Sequence, residues 1–175
     1  MADSREDDFF YLVEPKMRGI IPLDGLHISK SMRKFMRQTD LRVTFNRDFA
    51  GVIRACANNH EGTWISHSIE NLYTILHLGG DAHSVEIWSD ETLVGGLYGV
   101  TQGRAFFGES MFSTQTNASK LGLIYLTERL NNRGFELLDT QFLTDHLKSL
   151  GAIEIPQAEY LEKLDVALDG EACFD

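Results

Sequence analysis

Between Ala82 and Met111 the apolar residues stop recurring at helical spacing and begin to alternate, and this change of period constrains the fold more than any other feature. His83 to Ser89 alternates, Asp90-Glu91 makes a turn, and Thr92 to Thr101 returns, which predicts a hairpin. A third strand, Arg104 to Met111, follows the turn at Gln102-Gly103. Helical spacing then resumes. Asn117 caps a helix through Asn131, with Leu121, Ile124, Tyr125 and Leu130 spaced for burial and Gly134 as its stop. A strand over Phe135 to Phe142, a helix over Thr144 to Leu150, a short strand at Ile153-Glu-Ile155 and a helix from Gln157 to Leu168 complete the chain. A meander followed by alternating helices and strands predicts an α/β (α+β) fold, one mixed sheet flanked by helices on both faces.

Upstream, residues 1–27 read as irregular, punctuated by Pro15, Gly19, Pro22 and Gly25, with a short strand around Arg18 to Pro22. Ser29 or Ser31 caps a basic helix, Met32 to Arg37, and Leu41 to Phe45 alternates like a strand. Asp48 caps Phe49 to Ala57, where Phe49, Val52, Ile53 and Cys56 form one apolar face. Ile69, Leu72, Tyr73 and Leu76 share a face of a helix over His67 to Leu78 that stops at Gly79-Gly80. A chain of 175 residues, 43% hydrophobic, builds one well-buried domain and not two. The division expected is an N-terminal extension over 1–27 and a single domain over 28–175.

No run of about 18 apolar residues exists, and the start, Met-Ala-Asp-Ser-Arg-Glu-Asp-Asp, is acidic where a signal peptide needs a basic start and an apolar stretch. The expected location is the cytoplasm. Cys56 and Cys173 form no CxxC pair, and the six histidines fall in no HExxH pattern, so neither a disulfide framework nor a metal site is expected. The net charge of −10 is unevenly spread. Between Lys16 and Arg54 nine basic residues (Lys16, Arg18, Lys30, Arg33, Lys34, Arg37, Arg42, Arg47, Arg54) face three acidic ones, while residues 55–175 carry −12. Such a patch either holds a phosphate backbone or is a solvated helix face.

The stretch from Phe135 to Phe142 raises the central question. Leu137, Leu138, Phe142 and Leu143 mark a core strand, and in a strand Asp139 and Gln141 point to the same side, within reach of each other. A carboxylate and an amide on a central strand need partners or a purpose. They are either a satisfied polar pair at a strand end or part of a reaction site.

Several ordered motifs bear on that choice: Leu93-Val-Gly-Gly-Leu-Tyr-Gly-Val100, Gly108-Glu-Ser-Met-Phe-Ser113, Asn117-Ala-Ser-Lys120, Leu138-Asp-Thr-Gln141 and Leu150-Gly-Ala-Ile-Glu-Ile-Pro156. With Gly62-Thr-Trp-Ile65 and Leu76-His-Leu-Gly-Gly-Asp-Ala-His-Ser-Val-Glu-Ile-Trp88 upstream, residues 15–165 closely resemble the bacterial leucyl/phenylalanyl-tRNA–protein transferases. The order of elements is also that of the acyl-CoA N-acyltransferase fold. The resemblance implies transfer of leucine, phenylalanine or methionine from aminoacyl-tRNA to the α-amino group of proteins that begin with Arg or Lys. That reaction marks the acceptors for degradation. No cofactor and no metal are implied, and the expected protein is a monomer without membrane association.

By the same resemblance Asp139 and Gln141 are catalytic: Gln141 orients the amine through its carbonyl oxygen, while Asp139 holds Gln141 and draws the proton. No nucleophile is involved, so no covalent intermediate is expected. Glu109, with Ser110, falls near the reaction site, its partner being a cationic group of the acceptor, the terminal ribose, or a structural cation such as Lys120. Leu97, Met111, Leu123, Leu126 and Leu138 are the walls implied for the pocket of the transferred side chain, or plain core. Trp64 falls on an aromatic beside the terminal adenosine, or is a core tryptophan. Lys30, Arg33, Lys34 and Arg37 are the expected tRNA contacts.

The chain departs from the family pattern in two places. Phe9-Phe-Tyr-Leu-Val-Glu-Pro15 stands where typical members carry a longer N-terminal domain, so residues 1–27 read as its remnant. Leu97 and Leu126 replace the Met and Phe often found there, which leaves the transferred amino acid open. Two other readings compete. An acyl-CoA-dependent N-acyltransferase needs a glycine-rich loop for pyrophosphate, and Thr114-Gln-Thr-Asn-Ala-Ser has no glycine. A non-catalytic tRNA- or degron-binding relative would not need Asp139 and Gln141.

Overall fold

The computed structural model describes every residue except 3, 8, 10, 11 and 60–62. Gly62 of the tryptophan motif, and Phe10 and Tyr11 of the N-terminal run, lie outside the described residues. The elements are β1 (Met17–Ile20), α1 (Lys30–Gln38), β2 (Arg42–Phe45), α2 (Phe49–Asn58), α3 (His67–Gly79), β3 (Ala82–Ser89) and β4 (Thr92–Gln102). They continue as β5 (Ala105–Ser113), α4 (Ala118–Asn132), β6 (Leu137–Gln141), α5 (Asp145–Lys148), β7 (Ile153–Pro156) and α6 (Gln157–Leu168). The mixed α/β architecture expected from the change of period is present. One seven-stranded sheet runs in the order β2-β3-β4-β5-β6-β1-β7. Its β5–β6 pair is parallel, and β1 is antiparallel to both β6 and β7. Among the described residues no helix is long and apolar enough to cross a membrane.

Contacts group the chain into two compact units, one of residues 1–14, 41–99 and 110–122, the other of 15–40, 100–109 and 123–175. In the first, α2 and α3 pack on β3. Asp48 opens α2 by accepting the Gly51 N–H at 2.9 Å, and Ser66 opens α3 by accepting that of Ile69. Val52, Ile53 and Cys56 are buried from α2 as their spacing requires. Phe49 stacks on His77 at 4.3 Å and meets the edge of Tyr98. Each such aliphatic burial is worth about 1.5–3 kcal/mol. The glycine pair in β4 has a packing cause: a Cβ on Gly95 would stand 2.7 Å from Cβ of Ala118, so this strand takes the start of α4 only as glycine.

In the second unit, β1 lies between β6 and β7, with α6 against all three strands. Ile20, Ala105, Leu137, Ile155, Tyr160 and Ala167 form its core. The segment read as an extension therefore contributes an interior strand of the sheet. Interior position follows from composition, since Gly19, Ile20 and Ile21 are small or apolar and are all buried.

Some local expectations are corrected. Leu72 is 46% exposed and Phe142 48%, so the face predicted for α3 is narrower than its spacing implied and β6 leaves the core one residue early. Tyr125 is exposed as well. Asn117 opens α4 from the left-handed region (φ 68°), its carbonyl accepting the Leu121 N–H at 2.9 Å. The helix over Thr144 to Leu150 shortens to α5.

Candidate active site

Asp139 sits in β6 with no exposed surface, between strands whose hydrogen-bonding edges are taken. A carboxylate there is tolerable only if its oxygens are satisfied. They are. Arg18, on β1, donates from Nε to Oδ1 at 3.0 Å and Oδ2 at 3.1 Å, and from Nη2 to Oδ2 at 2.5 Å. Tyr160, on α6, donates its hydroxyl to Oδ2 at 2.9 Å, and the backbone N–H of Gln141 donates to Oδ1 at 2.7 Å. The guanidinium of Arg18 also lies over the Tyr160 ring, 4.8 Å from its centroid. Burial disfavours the charge on Arg18, but its hydrogen bond and attraction to Asp139 prevail and raise its pKa. Burial, and then the charge of Asp139, push the Tyr160 hydroxyl above its ordinary value, so it stays a neutral donor.

Gln141 does not continue the strand alternation. Its φ is 59°, and the Phe142 N–H bonds the Thr140 carbonyl at 2.6 Å, closing a three-residue turn around it. A positive φ makes this the rarer γ-turn, a strained form that persists only where its surroundings over-determine it. The surroundings are specific. A Cβ on Gly19 would stand 2.7 Å from the Phe142 carbonyl carbon and 2.8 Å from its oxygen, so β1 reaches the turn only through glycine. The register slips between Gly19, opposite Gln141, and Ile20, opposite Asp139, a bulge of the kind found beside active sites.

The expected side-chain bond between Asp139 and Gln141 is therefore absent. The carboxylate holds the Gln141 main chain, and the Gln141 amide turns elsewhere. Its Nε2 donates to the Gly108 carbonyl of β5 at 3.1 Å. A carbonyl only accepts, which fixes the sense of the amide. Among the described residues nothing donates to Gln141 Oε1, which stays an open acceptor on a half-buried side chain.

Glu109, next to Gly108, is half-buried. Ser110 hydrogen-bonds the thiol of Cys56, and burial holds that thiol up at about 12. Leu97 and Leu123 are 3% exposed and Leu126 and Leu138 1%, all in the core, whereas Met111 keeps some surface. Leu97 and Met111 belong to the first unit, the other three leucines to the second. Trp64 is half-buried in the first unit, its carbonyl accepting the Ala2 N–H at 3.1 Å. Lys30, Arg33, Lys34 and Arg37 are exposed on α1. Arg18, counted with them by charge, is instead committed to Asp139. Sequence reading missed Arg18, Gly19 and Tyr160 as site residues. Their separation, 121 residues from Arg18 to Asp139 and 21 from Asp139 to Tyr160, carries no signal in one chain.

A neutral amide with an open oxygen and a saturated carboxylate supply no nucleophile. They suit an enzyme that aligns an amine for acyl transfer. The family model described as leucyl/phenylalanyl-tRNA protein transferase matches residues 20–165. A leucyl/phenylalanyl-tRNA–protein transferase of Cereibacter sphaeroides is 56% identical over 99% of this chain and 81% of its own length. One from Ruegeria sp. is 54% identical over 99% of this chain and 82% of its own. Among solved structures, L-PGS from Bacillus licheniformis matches 77% of this chain and 50% of its own at a TM-score of 0.49 and 15% identity, too distant to add to these. The protein is an aminoacyltransferase. It belongs to the leucyl/phenylalanyl-tRNA protein transferase family.

Proposed function

We propose that Gln141 Oε1 accepts a hydrogen bond from the N-terminal amine of an acceptor protein and aims its lone pair at the ester carbon of aminoacyl-tRNA. The open oxygen on an amide whose other end is pinned to Gly108 carries this reading. The new bond joins the amine nitrogen to the acyl carbon, and the bond from that carbon to the terminal ribose oxygen breaks. The proton released by nitrogen ends on the departing ribose oxygen. An α-amino group has a pKa of about 7.7–8.0, so much of it is already neutral near pH 8. Asp139, with both oxygens occupied, serves as anchor of the turn, which supports alignment over proton transfer to this carboxylate. Alignment alone is worth large factors when reacting atoms are held near contact.

In this reading the donor is leucyl-, phenylalanyl- or methionyl-tRNA, its side chain taken by apolar residues of the second unit, Leu123, Leu126 and Leu138. Trp64 stacks on the terminal adenosine, and Lys30, Arg33, Lys34 and Arg37 hold phosphates. Glu109, with Ser110 beside it in sequence, meets the cationic end of an acceptor beginning with Arg or Lys. The enzyme acts as a cytoplasmic monomer without cofactor.

The test is transfer from each charged tRNA to peptides differing in their first residue. Leucine, phenylalanine or methionine should pass to Arg and Lys peptides, unaffected by chelator or coenzyme A. Gln141→Ala should lower kcat about 100-fold. A Gln141→Ala variant at full turnover would remove Gln141 from the reaction, and equal transfer to Ala or Asp peptides would remove the acceptor rule.

A further inference from the structure

We propose that Arg18 is a positioning residue for the transfer reaction: through Asp139 it holds Gln141 in the turn that aims its amide oxygen. This rests on the role given to Gln141 above. Arg18 lies just upstream of residues 20–165, the segment the family model matches.

The guanidinium fork is planar, and two of its nitrogens grip the carboxylate, which fixes the rotation of that group about its bond to Cβ. Tyr160 adds a further hold on the same carboxylate through Oδ2. With the plane fixed, Oδ1 lies 2.7 Å from the Gln141 N–H, and that bond is what ties the carboxylate to the turn. The turn needs such a tie because its left-handed φ is unfavourable for glutamine. Stability alone does not account for the pair. Burying an ion pair costs desolvation, and apolar side chains of the same volume often serve the fold as well or better. What apolar side chains cannot do is hold an N–H in place. Arg18 also precedes Gly19, whose missing side chain lets β1 reach the turn, so one dipeptide supplies both the clearance and the clamp.

The experiment compares kcat and KM for leucyl-tRNA and an Arg peptide in wild type, Arg18→Lys, Tyr160→Phe, Gln141→Ala and the Arg18→Lys, Gln141→Ala pair, each well below its own melting temperature. Lysine keeps the charge but not the fork. Arg18→Lys should lower kcat about 10-fold with KM for leucyl-tRNA nearly unchanged, since misalignment acts on the reacting geometry more than on binding. In the Gln141→Ala background the same change should cost nothing further, because the group it aims is gone. An Arg18→Lys enzyme with wild-type kcat beside a crippled Gln141→Ala overturns the inference and leaves the reading of Gln141 standing. Losses that multiply in the pair also overturn it. Full activity in Gln141→Ala overturns the reading of Gln141 itself. Should Arg18→Lys not fold, Tyr160→Phe takes its place in the pair. It keeps the ring, and an unchanged kcat in that variant counts against the clamp.

Discussion

Gln141 occupies a backbone conformation that glycine adopts freely and glutamine does not. Gln141→Gly should therefore melt above Gln141→Ala, which loses the same bond to Gly108 but keeps on the order of 1 kcal/mol of strain, while transfer falls equally in both. Thermal unfolding of both variants beside a transfer assay checks both halves, and a Gln141→Gly that melts below Gln141→Ala would mean that the turn is not strained. Gly19→Ala is the converse case. Its added methyl meets main-chain atoms at 2.7 and 2.8 Å, so the turn or β1 must move, at a cost of about 1–3 kcal/mol with loss of turnover. Asp139 and Gln141 stood out as candidates because two polar residues interrupt an apolar strand. The contact between them was not, since period-2 reasoning assumes extended backbone and Gln141 leaves it.

Among the elements, α2 carries a titration. Its Cys56 thiol is pushed by burial from an ordinary value of 9.0 to about 12. Between those values the unfolded chain has lost a proton that the folded one retains. Stability is thus intact below pH 9 and declines as pH rises toward 12, at up to about 1.4 kcal/mol per unit. Tyr160 adds to the decline above its own ordinary value of 10.0. Denaturant unfolding at pH 8 and pH 10.5 should show the loss, and a shallower one in Cys56→Ala. A thiol reagent at pH 8 should label Cys173, which is exposed, and spare Cys56 until the chain unfolds. On α1 the exposed cations predict a different behaviour. Affinity for leucyl-tRNA should fall as salt rises, and Arg33→Glu with Lys34→Glu should flatten that dependence by about two counterions. Equal slopes would make α1 a merely solvated face. The basic character of this helix could be read from its sequence, whereas the diversion of Arg18 could not.

The whole molecule shows where local reading ends. A boundary at residue 27 follows the irregular composition of the N-terminal segment, yet β1 from that segment separates β6 from β7. Removing residues 1–27 should expose both strands and strip Asp139 of Arg18, leaving a buried charge unpaired at a cost of about 3–5 kcal/mol. The shortened chain should aggregate or lose cooperative unfolding. Soluble, cooperatively folded material would show that β1 is dispensable. The amino-acid sequence by itself determined which segments are helix and which are strand, their order, and Asp139 and Gln141 as candidates, because periodicity and capping act over a few residues. Only the tertiary structure decided that a four-residue strand from the N-terminal region enters the sheet between β6 and β7, that Arg18 and Tyr160 close on Asp139, and that Gln141 turns out of the strand toward Gly108. Those outcomes depend on which distant groups can satisfy a buried carboxylate, and spacing along a single chain does not encode that.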